Sequence, residues 1–436
     1  MKIILYSPQL SSRLSYIIDF FGNQISDQAI IITNDPVEFR QADAIKINYS
    51  SSRITEQGFW IQPHSLLFEN NIQLQQIQCF EWNNYKAFFK TGGDIPFDIF
   101  AASFYLISRY EEYLPHEEDE YGRYAHKNSL AFKEHFLNMP LINLWIEQFK
   151  KLLKEKFSLF TIHHSAFFFL PTYDIDIAYA YLHKPVLNNI GGFYKELFTG
   201  KWKQLSERVN VFSGRKKDPF DTCQWLHDLH KRYNLHPCYF FLLAEKRKGY
   251  DKNIPPLVKA MHQLILQHDE KYDTGIHPSW QSGDDESVLK KEISLLQTIT
   301  AKTVTRSRQH YIRMTFPETY RLLIDNGIKE DYSMGYGSIN GFRASAASPF
   351  YWYDLEKEQQ TSLLIHSFCF MEANSFFEQY FTAEEAGEEL QQYHDIVKSV
   401  NGDLITIFHN HFVTEQKEWL PWRNMYADFL KRNFAP

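Results

Sequence analysis

Phe167-Phe168-Phe169-Leu170-Pro171-Thr172-Tyr173 runs directly into Asp174-Ile175-Asp176, and this junction decides how the second half of the chain is read. An apolar run of this length reads as a buried strand, and carboxylates at i and i+2 leave an extended chain on the same side. The two aspartates either share a metal ion or divide into a base and a ligand; a turn or helix N-cap after the strand is the plain structural alternative. Downstream the pattern recurs. Apolar runs at 166–173, 237–243, 272–277, 303–308, 330–333, 364–370 and 404–409 predict strands, and helical spacing predicts helices at 222–234, 255–268, 284–300, 318–326 and 383–400. Alternating strands and helices argue for βα units, and seven such strands suit a barrel better than an open sheet.

Toward the amino terminus, residues 2–6 and 29–33 read as short buried strands with a helix over 11–21 between them, so this portion is α/β as well. Residues 98–113 predict an amphipathic helix with Phe100, Ala101, Phe104, Tyr105 and Ile107 near one stripe. The acidic run Glu117-Glu118-Asp119-Glu120 predicts a solvated loop over 115–128, and 141–156 predicts another helix. A boundary near 160 follows, giving an amino-terminal α/β domain at 1–160 and a barrel at 161–436. A length of 436 residues agrees with two domains. Apolar residues at 44% and charged residues at 23% exclude a disordered, collagenous or coiled-coil chain. Lys plus Arg numbers 46 against 53 Asp plus Glu, with no basic tract, which argues against nucleic acid as a partner. Aromatics at 17% suit surfaces that stack on sugar rings or bases. Cys79, Cys223, Cys238 and Cys369 fit no zinc-ribbon or disulfide spacing and predict free buried thiols. The first residues lack a signal-peptide core and no apolar run reaches membrane-span length, so the expectation is a cytoplasmic protein without a transmembrane segment.

Active-site residues of such barrels sit at the carboxyl ends of strands. The third run ends Gly275-Ile276-His277-Pro278-Ser279-Trp280, the fourth gives Arg306-Ser307-Arg308-Gln309-His310-Tyr311, and the last gives Ile407-Phe408-His409-Asn410-His411. Histidines at three strand ends, with the aspartates of the first, point to zinc or a similar divalent ion held by three protein ligands with one position open. His409 and His411 share a face if the strand continues, so either serves in this reading. His227 and His230 read as structural residues of an amphipathic helix, and His163-His164 has no acidic partner nearby. The stretch from Gly335 to Gly341 misses the dinucleotide-binding pattern and reads as a flexible glycine loop near the site mouth. No nucleophile elbow or phosphate loop occurs, which counts against an esterase serine or a nucleotide-driven enzyme.

Asp-x-Asp, then Gly-x-His-Pro-Ser, Arg-x-His-Tyr, Gly-Phe-Arg and Ile-x-His in this order resemble the polysaccharide deacetylase (NodB-homology, carbohydrate esterase family 4) superfamily over 161–436. The resemblance implies an incomplete (β/α)7 barrel and metal-dependent removal of N- or O-acetyl groups from sugars. It implies Asp174 as general base, Asp176 and His277 as metal ligands, Arg343 as the arginine that holds the base, and His409 as the acid. The sequence departs from the family pattern in two places. Ile175 separates aspartates that are usually adjacent, and Gln281 stands where a second ligand histidine is usual, so His310 is expected as the third ligand. Tyr311, Tyr336, Phe350, Tyr351 and Trp352 are candidates to line the sugar groove, with core packing the favoured role for at least some of them. The resulting expectation is a hydrolase requiring a divalent metal, zinc first, acting on an acetylated carbohydrate, a small or lipid-linked sugar precursor before an extracellular polymer. Two alternatives stand beside it: a barrel that has lost turnover and binds a glycan or partner, motivated by Gln281, and a metal-dependent hydrolase of another C–N bond.

Overall fold

A computed structural model describes every residue except 1, 27, 159, 162–164, 186–198, 200, 248 and 436. The His163-His164 pair therefore lies outside the described residues. The amino-terminal portion carries a four-stranded parallel sheet of β1 (Ile3–Tyr6), β2 (Ile31–Thr33), β3 (Ile45–Tyr49) and β4 (Phe59–Ile61), in the order β2-β1-β3-β4. A hairpin of β5 (Phe80–Trp82) and β6 (Tyr85–Ala87) follows. The helix Ser12–Ile25 starts where the Ser11 hydroxyl accepts from Leu14 N, satisfying one of the amides a helix start leaves unpaired.

The helix expected over 98–113 is shorter. Asp98 caps it, Oδ1 accepting from Phe100 N and Ala101 N at 3.0 Å each, but it ends at Ile107. Arg109 turns left-handed at φ 54° and a 3₁₀ turn, Tyr110–Tyr113, follows. The break serves a charge. Buried Arg109 donates to Glu112 Oε1 at 2.7 Å and to Glu111 Oε1 at 2.9 Å. All nine residues of Ile99–Ile107 are buried, so the expected apolar stripe is in fact an enclosed helix.

The larger sheet contains β7 (Phe168–Ile175), β8 (Cys238–Leu242), β9 (Asp273–His277), β10 (Arg306–Ser307), β11 (Glu330–Met334), β12 (Phe350–Asp354), β13 (Gln359–Ser367), β14 (Phe370–Met371) and β15 (Asp403–His409). Its order is β12-β13-β11-β10-β9-β8-β7-β15-β14, parallel throughout except for the β12–β13 pair. β13 pairs with β11, while β14, just downstream in the chain, pairs with β15. The row of nine strands therefore curls back toward its own start, as a barrel does and a flat sheet does not. Helices Cys223–Arg232, Lys259–Asp269, Glu286–Thr300, Glu318–Asp325 and Ala383–Ser399 connect the strands near the expected positions. No described helix is long and apolar enough to cross a membrane.

β12 corrects one expectation. The aromatic run read as groove lining is an antiparallel edge strand, in which Phe350 and Trp352 point into the core and Tyr351 is 44% exposed, the alternation a half-buried strand requires. The two sheets share one hydrophobic core, from Ile3 to Leu430. Polar ties reinforce it: Asn143 accepts from Ala347 N at 2.8 Å and donates to Ser348 Oγ at 2.7 Å.

Candidate metal centre

The register gathers the strand ends. β15 pairs with β7 so that His409 lies beside Asp174, and β8 pairs with β9 so that Leu242 lies beside His277. Asp176 follows β7, and His310 sits in a short turn after β10. Side chains from these four places converge on one carboxylate. Asp176 Oδ1 is 3.1 Å from His277 Nε2, and Oδ2 is 3.4 Å from both His310 Nε2 and His409 Nε2. Each histidine is braced from behind: His277 Nδ1 donates to the Arg308 carbonyl at 2.5 Å, His310 Nδ1 to Asp251 Oδ1 at 2.9 Å, and His409 Nδ1 to Glu372 Oε1 at 2.8 Å. Since those partners can only accept, each ring carries its proton on Nδ1 when neutral and turns a lone pair on Nε2 inward.

The donors fit a divalent cation. One ligand atom from each of Asp176, His277 and His310 lies within 4.8 Å of the others, and Asp176 Oδ1 is buried with no hydrogen-bond partner. One carboxylate oxygen and two imidazole nitrogens suit zinc or a similar ion.

Burial opposes ionisation of Asp176, yet His310, His277 and His409 hold its carboxyl well below the ordinary carboxylate range. Burial likewise disfavours a charged His310, but Asp176 and Asp251 push it up to about 9. His409 is carried well above its usual value, against burial, by Glu372 and Asp176. A bound cation would displace protons from the histidines that ligate it. His411 goes the other way: burial and the neighbouring His409 push it down to about 3, so it stays neutral. The two histidines are thus not interchangeable: their surroundings push them in opposite directions.

Asp174 lies at the edge of this cluster, 2% exposed, with Oδ2 3.7 Å from His277 Nε2. The arginine beside it is Arg308, not Arg343. Arg308 Nη1 donates to Asp174 Oδ1 at 2.9 Å and to Thr172 Oγ1 at 2.6 Å, while Nε donates to the Tyr332 carbonyl at 3.0 Å. Arg343 instead donates to Glu112 Oε1 at 2.8 Å and Oε2 at 2.5 Å, because the amino-terminal portion presents that buried carboxylate where the loop after β11 passes. Arg109 joins the same pair.

Two expected sugar contacts are core residues. Tyr336 is 2% exposed and its hydroxyl accepts from Arg109 at 3.2 Å, and Trp352 packs edge-on to Tyr320 at 5.4 Å. Tyr311 alone of the three is near the centre, its ring 4.8 Å from that of His310. The Gly335–Gly341 stretch is packed rather than flexible: a Cβ on Gly335 would strike the Phe368 ring, and Gly341 (φ 137°) lies against Leu137. Asp251, Glu372 and the role of Arg308 escaped sequence reading, and Gln281, where a ligand histidine was expected, donates to Asp251 Oδ2 at 3.3 Å. Asp251 lies well beyond the end of β8 and carries no periodic signal, Glu372 follows the two-residue strand β14, too short to announce itself, and only the Arg-x-His-Tyr motif pointed near Arg308.

A sequence-family profile described as a family of unknown function (DUF7033) matches residues 3–158. No curated protein matches the sequence. Among solved structures, the chain is similar to a protein provisionally named a polysaccharide deacetylase from Mycobacterium smegmatis, at 13% identity and TM-score 0.39, covering 62% of this chain and 86% of that one. It is also similar to a polysaccharide deacetylase from Bacillus cereus, at 10% identity and TM-score 0.30, covering 62% and 88%.

Proposed function

We propose that the chain is a metal-dependent hydrolase that removes an acetyl group from an acetylated carbohydrate, residues 161–436 carrying the chemistry and 1–160 forming an accessory domain. The observation that carries this reading is the convergence of Asp176, His277 and His310, each histidine braced through Nδ1, with arginine-held Asp174 at their edge. Asp176, His277 and His310 would hold the cation, and His310 supplies the donor that Gln281 cannot. When bound, zinc or a similar ion polarises the scissile carbonyl and makes water acidic enough to attack at neutral pH. Arg308 occupies Oδ1 of Asp174 and fixes the carboxylate, leaving Oδ2 to take the proton of the attacking water. His409, held through Nδ1 by Glu372, is the group that would donate from Nε2 to the departing amine or alcohol. Tyr311 beside His310 offers an aromatic face to the sugar ring.

Metal content of the purified chain and acetate release from a panel of N- and O-acetylated mono- and oligosaccharides test this together. One zinc or similar ion per chain, with acetate release abolished in Asp174→Asn, supports it. A metal-loaded chain that releases acetate from none of the panel refutes the deacetylase reading.

A further inference from the structure

The loop that carries the acidic stretch touches, through Arg123, the turn that follows His310. Glu117, Glu118 and Glu120 are exposed, but Asp119 is not simply solvated. Its Oδ1 accepts from Tyr121 N at 2.9 Å and Arg123 N at 3.0 Å, while its Oδ2 accepts from Arg123 Nε at 2.7 Å. This closed turn aims the Arg123 guanidinium, 5% exposed, at the barrel, where Nη1 donates to the Tyr311 carbonyl at 2.6 Å.

Three further features meet at that carbonyl. Tyr311 and Ile312 are both left-handed, at φ 59° and 53°, immediately after His310. Two successive non-glycine residues in this region, one of them β-branched, persist only where their surroundings over-determine them. Gly337 is the second feature: a Cβ there would run into the Arg123 guanidinium and lie 2.9 Å from the Tyr311 carbonyl oxygen, so the arginine reaches its acceptor through space only glycine leaves. The third is aromatic. Tyr121, stacked under Arg123 at 4.6 Å, lies 5.4 Å from the Tyr311 ring.

We propose that Arg123 is a positioning residue that locks the turn after β10 so that His310 presents Nε2 to the metal, which makes the amino-terminal portion a working part of the centre. The proposal rests on the metal-site reading above. Asp251 fixes the His310 ring from its Nδ1 side; Arg123 fixes the backbone from which that ring projects. An imidazole can meet a cation along its lone pair only if both are held.

Zinc affinity of the full chain, measured by competition with a chelating dye, decides the matter. Arg123→Met and Gly337→Ala, which disturb the contact from opposite sides, are each expected to weaken zinc binding roughly 10- to 100-fold, the range of outer-shell losses. Arg123→Lys, which keeps one donor for the carbonyl, is expected to recover part of the loss. In a His310→Ala background, Arg123→Met is expected to add nothing, because its effect passes through the missing side chain. Affinities within about twofold of wild type in both variants, or a loss that simply adds to that of His310→Ala, would overturn the inference. If Arg123→Met does not fold, Gly337→Ala and its combination with His310→Ala carry the same decision. A wild-type chain that binds no zinc sinks the metal-site reading itself, a result distinct from wild-type binding that the variants leave unchanged.

Discussion

Glu292 lets the electrostatics of the barrel be tested without any assumption about catalysis. It sits in the helix Glu286–Thr300, 3% exposed, where one carboxylate oxygen accepts from Ser279 N at 3.0 Å and the other, Oε1, has no partner. Ser279 follows His277-Pro278, so this carboxyl holds the turn leaving the strand of a candidate metal ligand. Burial pushes its pKa from 4.5 to about 7, the hydrogen bonds from Ser279 only partly offsetting it. A carboxyl raised in the fold contributes its stability below the unfolded value and loses it as pH rises through the folded one. Near pH 4 both states hold the proton and nothing is lost. Between 4.5 and about 7 the unfolded chain ionises first, and at 1.36 kcal/mol per pH unit the fold gives up about 3 kcal/mol, a loss that levels off above pH 7. Glu292→Gln retains an acceptor for Ser279 N and never ionises. Urea unfolding of wild type and variant in parallel from pH 4 to 8.5 reads the difference, in which the titration of groups that do not interact with Glu292 cancels. The variant is expected to gain by about 3 kcal/mol from pH 4 to pH 8, on top of any constant offset from its amide. A difference that is flat with pH, or that moves against the variant as pH rises, refutes the reasoning.

Arg308→Met is expected to lower kcat for acetate release by roughly 100-fold, since Asp174 loses the group that orients it. Arg343→Met is expected to leave kcat nearly intact and to cost roughly 3–5 kcal/mol in urea unfolding, the cost of breaking a buried ion pair around Glu112; the opposite pattern would restore Arg343 to the site. His409→Ala is expected to keep its metal by elemental analysis while kcat falls roughly 10²- to 10⁴-fold, as loss of a general acid does; loss of the metal would make His409 a fourth ligand. Tyr311→Ala is expected to raise KM for an acetylated sugar several-fold, from about 1 kcal/mol of lost stacking. Tyr336→Phe is expected to leave KM unchanged and cost roughly 1–3 kcal/mol of stability, as its hydroxyl bonds buried Arg109.

The strand ends were legible because they are local. An apolar run that stops at Asp174-Ile175-Asp176, or at His277 before Pro278, announces both the strand and the residue at its mouth, and the structure brings the side chains of Asp174, Asp176 and His277 together. His310 was reachable in the same way, as the polar residue after a short run. The aromatic residues were harder. Trp352 and Tyr311 look alike in sequence, yet one is a core residue of an edge strand and the other lies beside a candidate ligand. The turn at Arg109 shows the limit from the other side: helical spacing continues through 98–113, and a buried guanidinium that needs Glu111 and Glu112 overrides it.

The alternation of strands and helices and the identity of the polar residues where the strands stop were readable from the chain alone. Those depend on the period of side-chain burial and on the chemistry of individual residues, both of which a linear reading contains. Only the tertiary structure decided which arginine stands beside Asp174, which acids brace the histidines, and that Arg123 and Glu112 from the first 160 residues reach the loops of the barrel. Asp251 lies 59 positions from His310, and Glu112 lies 231 from Arg343. A buried charge finds its partner wherever the register of distant strands and the packing of distant loops leave one within about 3 Å, and no local pattern carries that distance.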